Sequence, residues 1–313
     1  MKNILVTGGS GFIGSAITNH LLKNTKNRVT VFDDFSRGRK NRLIKSKRLK
    51  LIKGDICDYS KVLKACKNIN VVIHLAAING TKFFYEKPCE VLNVSSKGII
   101  NIMDACIKKK IKTIYLASSS EVYHKPKKIP TDENEMLKIP NIYNPRFSYA
   151  CGKILTEIYG INYGKKYFKK LIIFRPHNVY GNDMGNEHVI PELINKAFLS
   201  KNGKIKIKGT GNEKRSFIYI EDFLKAFDLI FNKGKHLQIY NIGTSEIIKI
   251  SEIVNKISKI TKKKFKIIQS KIPKGGTDIR CPNINKIKKL GFKKKYNLSQ
   301  GISKIISLRD QKI

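Results

Sequence analysis

The sequence predicts an α/β fold: a doubly wound parallel sheet accompanied by a smaller α/β lobe. Short apolar runs alternate with helical patterns through the first 175 of the 313 residues. These runs lack polar alternation, which is typical of parallel strands buried on both faces. A glycine-rich segment joins the first run to the first helical pattern, the place where a doubly wound sheet holds a phosphate group.

The elements of this first part follow each other in strand–helix order, which implies a doubly wound sheet. The predicted strands are residues 4–6, 28–32, 49–52, 70–75, 113–117 and 171–174. The predicted helices are residues 12–23, 61–66, 91–109 and 146–167.

The pattern is looser after residue 175. The predicted helices there are residues 191–199, 222–231 and 251–261, and the predicted short strands are residues 205–207, 238–240 and 266–268. We interpret this part as a smaller α/β lobe that caps the carboxyl edge of the sheet. The expected domains are therefore residues 1–175 and residues 176–313, with the chain interleaving between the two.

Composition limits the class of partner. The net charge of +40 suggests a nucleic-acid ligand, but the positive residues are mostly lysines spread along the whole chain, with only ten arginines. Nucleic-acid readers depend on arginine for bidentate contacts. We therefore expect no nucleic-acid partner, while a positive field favours an anionic small-molecule substrate.

Targeting and metal signals are also missing from the sequence. No stretch of about 18 apolar residues is present, so we expect no membrane span. The chain enters its first strand at residue 4, which leaves no room for a signal peptide and predicts a cytoplasmic protein. The six cysteines form no Cys-x-x-Cys pair, and we expect reduced thiols and no metal site.

The glycine-rich segment predicts a dinucleotide site. Gly8, Gly11 and Gly14 are spaced by three residues, with Phe12 and Ile13 between the last two. In a Rossmann sheet the first glycine permits a tight turn, the second lets the backbone approach a pyrophosphate, and the third allows close helix–strand packing. Asp33 ends the second strand, where a carboxylate accepts the ribose hydroxyls and repels a 2′-phosphate, so NAD is expected rather than NADP.

Two further groups of residues predict catalysis. Tyr149 and Lys153 are four apart on a predicted helix and therefore face the same way. A cation beside a phenol is expected to lower its pKa, which would let Tyr149 accept a proton. Polar residues 118–121 follow the fifth strand, where side chains point into the ligand crevice of a parallel sheet.

Taken together, these motifs resemble the NAD-dependent nucleotide-sugar epimerase/dehydratase family of extended short-chain dehydrogenases/reductases. The resemblance covers nearly the full length. The matching segments are residues 7–14, 54–56, 74–77, 119–123, 149–153, 175–181, 215–218 and 241–243, with Asn93 and Arg280. It implies that the first domain binds NAD and that the second binds the diphosphate-linked sugar substrate.

The resemblance also implies a role for each matching residue. The implied cofactor contacts are Gly8, Gly11, Phe12, Ile13, Gly14, Asp33, Asp55, Ile56, Leu75, Ala76, Ala77, Asn93, Tyr149 and Lys153. The implied catalytic residues are Tyr149, Lys153, Ser119 and Glu121, and the implied substrate contacts are Ser119, Ser120, Asn178, Arg215 and Arg280. Helices 91–109 and 146–167 match those that form a four-helix interface in relatives, which implies a homodimer.

The reaction is less sharply indicated than the family. The shared first step is oxidation of the sugar at C4 to a 4-keto intermediate. The Ser119-Ser120-Glu121 triplet resembles that of GDP-mannose dehydratases and UDP-glucuronate decarboxylases, so Glu121 is a candidate base for elimination or decarboxylation. His177 departs from the decarboxylases and is similar to sugar epimerases, which leaves simple C4, or C3/C5, epimerisation open. A non-catalytic NAD-binding regulator is the third alternative.

Overall fold

The computed structural model describes residues 1–271 and 275–310. Residues 272–274 and 311–313, which fall in the second predicted domain, lie outside the described residues.

The predicted helices and strands appear in the expected order, and further short elements occur between and after them. The strands are β1 (Asn3–Thr7), β2 (Arg28–Asp33), β3 (Leu49–Lys53), β4 (Val71–His74), β5 (Thr113–Ala117), β6 (Lys170–Pro176), β7 (Val179–Tyr180), β8 (Lys204–Lys206), β9 (Lys214–Arg215), β10 (Ile218–Tyr219), β11 (Gln238–Ile242), β12 (Ile248–Lys249), β13 (Lys266–Ile268) and β14 (Ile279–Arg280). The α-helices are α1 (Phe12–Asn24), α2 (Tyr59–Ala65), α3 (Thr81–Glu86), α4 (Pro88–Lys108), α5 (Ser148–Tyr167), α6 (Val189–Leu199), α7 (Ile220–Lys233), α8 (Ile250–Thr261), α9 (Asn285–Lys288) and α10 (Leu298–Asp310).

A seven-stranded sheet forms the centre of the fold, in the order β11-β6-β5-β4-β1-β2-β3. The neighbouring pairs from β6 to β3 are all parallel. Val6 lies opposite Val31 on one side and Ile73 on the other, and all three are fully buried. The unbroken apolar runs of the sequence therefore supply a sheet buried on both faces, and the predicted fold class is confirmed.

The chain divides into two compact units. The first contains Met1–Val122, Ile139–Arg175 and Phe227–Tyr240, and the second contains Tyr123–Lys138, Pro176–Ala226 and Asn241–Ile313. Within the second unit, β12, β9 and β14 form a small three-stranded sheet.

The edge strand β11 corrects the sequence analysis, which placed residues 238–240 in the smaller lobe. β11 pairs with β6 at the edge of the main sheet. Just before β11, the backbone amide of Leu237 donates to the carbonyl of Leu171 on β6 at 2.7 Å, which holds the two segments together. Phe231 on α7 stacks on Tyr115 of β5, with ring centroids 5.1 Å apart. Apolar burial therefore draws this late segment into the first unit.

Smaller differences concern helix ends and elements that the sequence did not predict. Helices α3, α9 and α10 were not predicted, nor were the short strands β7, β9, β10, β12 and β14. The predicted helix over residues 146–167 begins instead with a 3₁₀ turn at Pro145–Phe147 followed by α5. In the part of the chain that the structure describes, every helix is too short or too polar to cross a bilayer.

Candidate functional site

The glycine turn between β1 and α1 is built for close backbone approach. Gly8 has a φ of +66°, a conformation that favours glycine. A Cβ on Gly14 would lie 2.0 Å from the carbonyl oxygen of Gly8, so the first turn of α1 fits only without a side chain there. Gly11 caps α1 with no side-chain hydrogen bond, and the buried hydroxyl of Ser10 has no hydrogen-bond partner among the described residues. These features fit a bound pyrophosphate.

Asp33 lies beside this turn, as predicted. Its carboxylate accepts hydrogen bonds from the backbone amides of Ser10 and Phe35, both at 2.9 Å. Burial raises the pKa of Asp33, and the two amides oppose that effect. The carboxylate is thus anchored at the end of β2 while its oxygens keep further lone pairs for a ribose.

The remaining predicted cofactor residues differ in exposure. Leu75, Ala76 and Ala77 are half-buried directly after β4, and the amides of Leu75 and Ala76 donate to the Thr7 hydroxyl. The side chains of Asp55 and Asn93 are exposed, while Ile56 packs in the core against Gly98. A contact between Ile56 and an adenine stays a prediction, since the structure gives this side chain a packing role.

Tyr149 and Lys153 project from one face of α5 towards the end of β5. The Tyr149 ring is buried and stacks on Phe84 of α3, with centroids 4.9 Å apart. Lys153 Nζ lies 5.6 Å from the Tyr149 ring centroid and donates to the carbonyl of Ala117 at 2.8 Å. Burial lowers the pKa of Lys153 to about 8.

The expected lowering of the Tyr149 pKa is wrong for the structure as it stands. Burial of the phenol raises its pKa, the hydrogen bond from Ser119 lowers it, and the Glu121 carboxylate raises it further. Desolvation of a phenolate outweighs these neighbouring groups, because a buried anion loses its hydration. The same contact places the Ser119 hydroxyl beside the Tyr149 phenol, a pairing that the sequence did not predict.

Glu121 and Ser120 lie in the 3₁₀ turn that follows Ser119. Glu121 forms an ion pair with Arg146, with 3.8 Å between its Oε2 and the Arg146 Nη2, and both side chains are largely buried. Ser120 is buried. The structure therefore brings Ser119, Glu121, Tyr149 and Lys153 together at the carboxyl end of β5.

Beneath this group lies a buried charge network that the sequence analysis missed. Glu157 accepts from the Nε and Nη2 of Arg175 at 2.8 and 2.6 Å, and it also accepts a hydrogen bond from the Ser118 hydroxyl. Glu157 is four residues after Lys153 on α5, a spacing that could have drawn attention to it.

In the second unit, Arg215 and Arg280 lie side by side. They are register partners on the neighbouring parallel strands β9 and β14, so their side chains leave the same face of that sheet. Arg215 donates to the carbonyls of Thr277 and Asp278, and Arg280 donates through Nε to the Thr277 hydroxyl. The two guanidinium groups therefore place two positive charges on one face of this sheet.

The segment around His177 and Asn178 is tied to its own unit. The side-chain amide of Asn178 donates to the carbonyl of Ser216 at 2.8 Å. The backbone φ of Asn178 is +43°. The Asn241 amide group donates to the carbonyls of Thr131 and Asn283, which fixes its Oδ1 as the acceptor for both the Tyr123 hydroxyl and His177 Nε2. His177 therefore carries its proton on Nε2.

Comparison with known proteins gives a family match over most of the chain. A sequence model of the NAD-dependent epimerase/dehydratase family matches residues 4–243. A putative UDP-glucose 4-epimerase of Methanocaldococcus jannaschii is 31% identical over 309 residues, which cover 97% of each chain. A UDP-N-acetyl-alpha-D-glucosaminuronate decarboxylase of Bacillus cytotoxicus is 31% identical over 316 residues, again 97% of each chain.

A third relative is longer than this chain. The dTDP-D-glucose 4,6-dehydratase of Dictyostelium discoideum is 32% identical over 274 residues, which cover 83% of this chain but only 62% of the relative, less than two thirds. Among solved structures, a UDP-N-acetylglucosamine 4-epimerase from Methanobrevibacter ruminantium, in complex with UDP-N-acetylmuramic acid, superposes with a TM-score of 0.90. It is 24% identical and covers 100% of this chain and 99% of its own, which shows the fold.

These relatives catalyse different reactions on nucleotide sugars, and the family that joins them is defined by its dependence on NAD. The sequence resemblance and the expectation of NAD are thereby confirmed, and the chain belongs to the NAD-dependent epimerase/dehydratase family of nucleotide-sugar enzymes.

Proposed function

We propose that the chain oxidises a nucleotide sugar at C4 to a 4-keto intermediate, with Tyr149 as the base. The observation that carries this proposal is the grouping of Tyr149 with the Ser119 hydroxyl and the Lys153 ammonium at the carboxyl end of β5. A buried phenol, a neighbouring hydroxyl and a cation suit proton removal from a sugar hydroxyl.

The protein residues divide the work of this step. Ser119 holds the reacting hydroxyl by a hydrogen bond, and Tyr149 Oη takes its proton as the C4–H bond breaks. Bound NAD⁺ supplies the hydride acceptor and a positively charged ring. Burial raises the pKa of the Tyr149 phenol, and the positive charge of a bound NAD⁺ would oppose that rise. Lys153 stabilises the resulting phenolate through space.

The glycine turn and Asp33 are assigned to the cofactor. The tight turn, the uncapped start of α1 and the Ser10 hydroxyl would hold the pyrophosphate, and Asp33 would accept the adenosine ribose hydroxyls. No 2′-phosphate would be tolerated beside that carboxylate, since like charges repel.

We assign to the second unit the binding of the nucleoside diphosphate part of the substrate. Arg215 and Arg280 on one sheet face offer charge-assisted hydrogen bonds to a diphosphate. The net charge of +40 would attract such a dianion from a distance. The full-length relatives named above act on UDP-linked sugars, which supports the same substrate class.

Glu121 bears on the step after the oxidation. Its carboxylate lies near Tyr149 and forms an ion pair with Arg146. An ionised carboxylate beside a 4-keto sugar can remove the acidified C5 proton, or act electrostatically in a decarboxylation. Simple epimerisation, which needs no such group, is the alternative, and a non-catalytic NAD-binding regulator is the alternative outside enzymes.

The Tyr149→Phe variant tests the shared step. It keeps the ring that stacks on Phe84 and removes only the hydroxyl, so hydride transfer should slow by about 100- to 10,000-fold. NADH formation is followed at 340 nm with a panel of UDP-, GDP- and dTDP-sugars. Tyr163→Phe, on the same helix, is the matched control and should turn over normally. Near-normal turnover of Tyr149→Phe would refute the mechanism.

The Glu121→Gln variant tests the second step. It keeps the size of the side chain but loses the charge, so the variant should still reduce NAD and accumulate a 4-keto sugar detectable by mass spectrometry. Glu90→Gln, which removes an exposed pair with Lys87, is the control. Wild-type product formation by Glu121→Gln would favour plain epimerisation, and the absence of both transient NADH and any new sugar product in the wild type would favour the regulator.

A further inference from the structure

The ion pair between Glu157 and Arg175 is among the most buried charged contacts of the first unit. The exposed fractions of the two side chains are 4% and 2%. Two parallel hydrogen bonds from Arg175 and a third from Ser118 satisfy the carboxylate. Such a pair adds little net stability compared with apolar residues of similar volume, so its place next to the candidate site asks for another explanation.

Lys153 and Glu157 bind two successive residues at the end of β5. Lys153 donates to the carbonyl of Ala117, and the next residue, Ser118, donates to Glu157. Lys153 and Glu157 are one helical turn apart on α5, so they leave the same face of the helix. Helix α5 therefore contacts the end of β5 at two successive residues: the Lys153 cation binds Ala117, and the Glu157 anion binds Ser118.

Lys153 is buried among few charges. The titratable groups that face it are His74 on β4, Tyr149 and Glu157 on α5, and, through Glu157, Arg175 on β6. Burial lowers the pKa of His74 to about 3, and Tyr149 is a neutral phenol, so neither carries charge at neutral pH. Burial lowers the pKa of Lys153, and the Glu157 carboxylate opposes that effect.

We propose that Glu157, held by Ser118 and Arg175, is a positioning residue that keeps Lys153 charged and seated on the Ala117 carbonyl. One consequence of this inference rests on the proposed function: a charged Lys153 supports proton removal by Tyr149. Glu157 acts through Lys153 and need not touch the substrate. The position of the Ser118 hydroxyl then sets the position of Ser119, the next residue in the chain.

The double variant Glu157→Gln/Arg175→Gln tests how the charge of Glu157 affects the pKa of Lys153. Glu157→Gln alone leaves Arg175 buried without a counter-charge and can fail to fold. The double variant removes both charges and retains amides that can hydrogen-bond. We expect the pH at which Lys153 loses its proton to fall by about 1 unit or more.

Unfolding of the cofactor-free protein measures that shift directly. The pKa of Lys153 is about 8 in the folded protein against 10.5 for an ordinary lysine, so the unfolded chain binds more protons between these values. Stability relative to a Lys153→Met counterpart should therefore rise from about pH 8 to about pH 10.5. In the double variant, compared with its own Lys153→Met counterpart, the rise should begin about 1 unit lower. An unchanged onset would overturn the proposal.

Ser118→Ala tests the grip on the strand end while leaving the ion pair intact. We expect kcat for NAD reduction to fall by about tenfold with little change in KM, and Ser118→Thr, which keeps the hydroxyl, to restore it. Equal kcat in Ser118→Ala and wild type would refute the positioning role. If the wild type gives neither transient NADH nor a new product with any sugar, the proposed function fails, while the unfolding experiment still decides the role of Glu157.

Discussion

Gly152 lies between Tyr149 and Lys153 on α5, where a side chain would collide with α4. A Cβ added to Gly152 would lie 2.3 Å from the Cβ of Ser95 and 2.5 Å from its Oγ, well inside the 3.0 Å that real Cβ atoms respect. Both partners sit on helices, so relief requires the two helices to move apart. The Gly152→Ala variant therefore tests how tightly α5 is held.

The expected size of the effect is set by two opposing contributions. Overpacking costs about 1–3 kcal/mol, whereas alanine in place of glycine in a helix interior gains about 1 kcal/mol. Gly152→Ala should therefore change the free energy of unfolding by about 0–2 kcal/mol to the destabilising side. In a Ser95→Gly background the colliding Ser95 side chain is absent, and only the higher helix propensity of alanine remains. The coupling free energy between the two substitutions should therefore be about 1–3 kcal/mol.

Urea unfolding of the four proteins of this double-mutant cycle measures the coupling. Ser95→Gly sacrifices no hydrogen bond of the described residues, because the Ser95 hydroxyl has no partner there, which keeps the cycle clean. NAD reduction should fall in Gly152→Ala and recover in the double variant, since the same helix carries Tyr149 and Lys153. A coupling below about 0.5 kcal/mol would show that the helices yield freely and would refute this reasoning.

Three further predictions concern the cofactor, pH and assembly. NAD should bind more tightly than NADP because of the anchored Asp33 carboxylate, and a fluorescence titration showing equal or tighter NADP binding would contradict this. Hydride transfer should decline as the pH rises through about 8, where Lys153 loses its charge, and an initial-rate profile that is flat to pH 10 would argue against it. We also propose that α4 and α5 form a homodimer interface, so light scattering at micromolar concentration should give twice the mass of the chain, and a clean monomer would count against it.

The sequence was most informative about the first six strands. Buried parallel strands are short unbroken apolar runs, and the runs at residues 28–32 and 113–117 coincide with β2 and β5 to within one residue. The glycine turn could be predicted for the same kind of reason, because the pattern at Gly8 and Gly14 reflects backbone conformation and close approach within a few residues.

Contacts between distant segments could not be predicted in this way. The run at residues 238–240 was recognised as a strand, but its pairing with β6 depends on Leu237 meeting Leu171 across 66 positions of sequence. The partnership of Glu157 with Arg175 joins a helix to a strand that the local pattern treats separately. The direction of the Tyr149 pKa was missed because burial, which dominates it, is a property of the folded molecule.

The placement of β11 has a consequence for how the protein is made. During synthesis the first unit cannot complete its sheet when residue 175 leaves the ribosome, because its last strand is translated more than 60 residues later. Until then the edge of β6 has unpaired backbone groups and Tyr115 lacks Phe231, a state prone to wrong strand pairing. A fragment ending at Arg175 should aggregate for the same reason, whereas one that also supplies residues 227–242 should be better behaved.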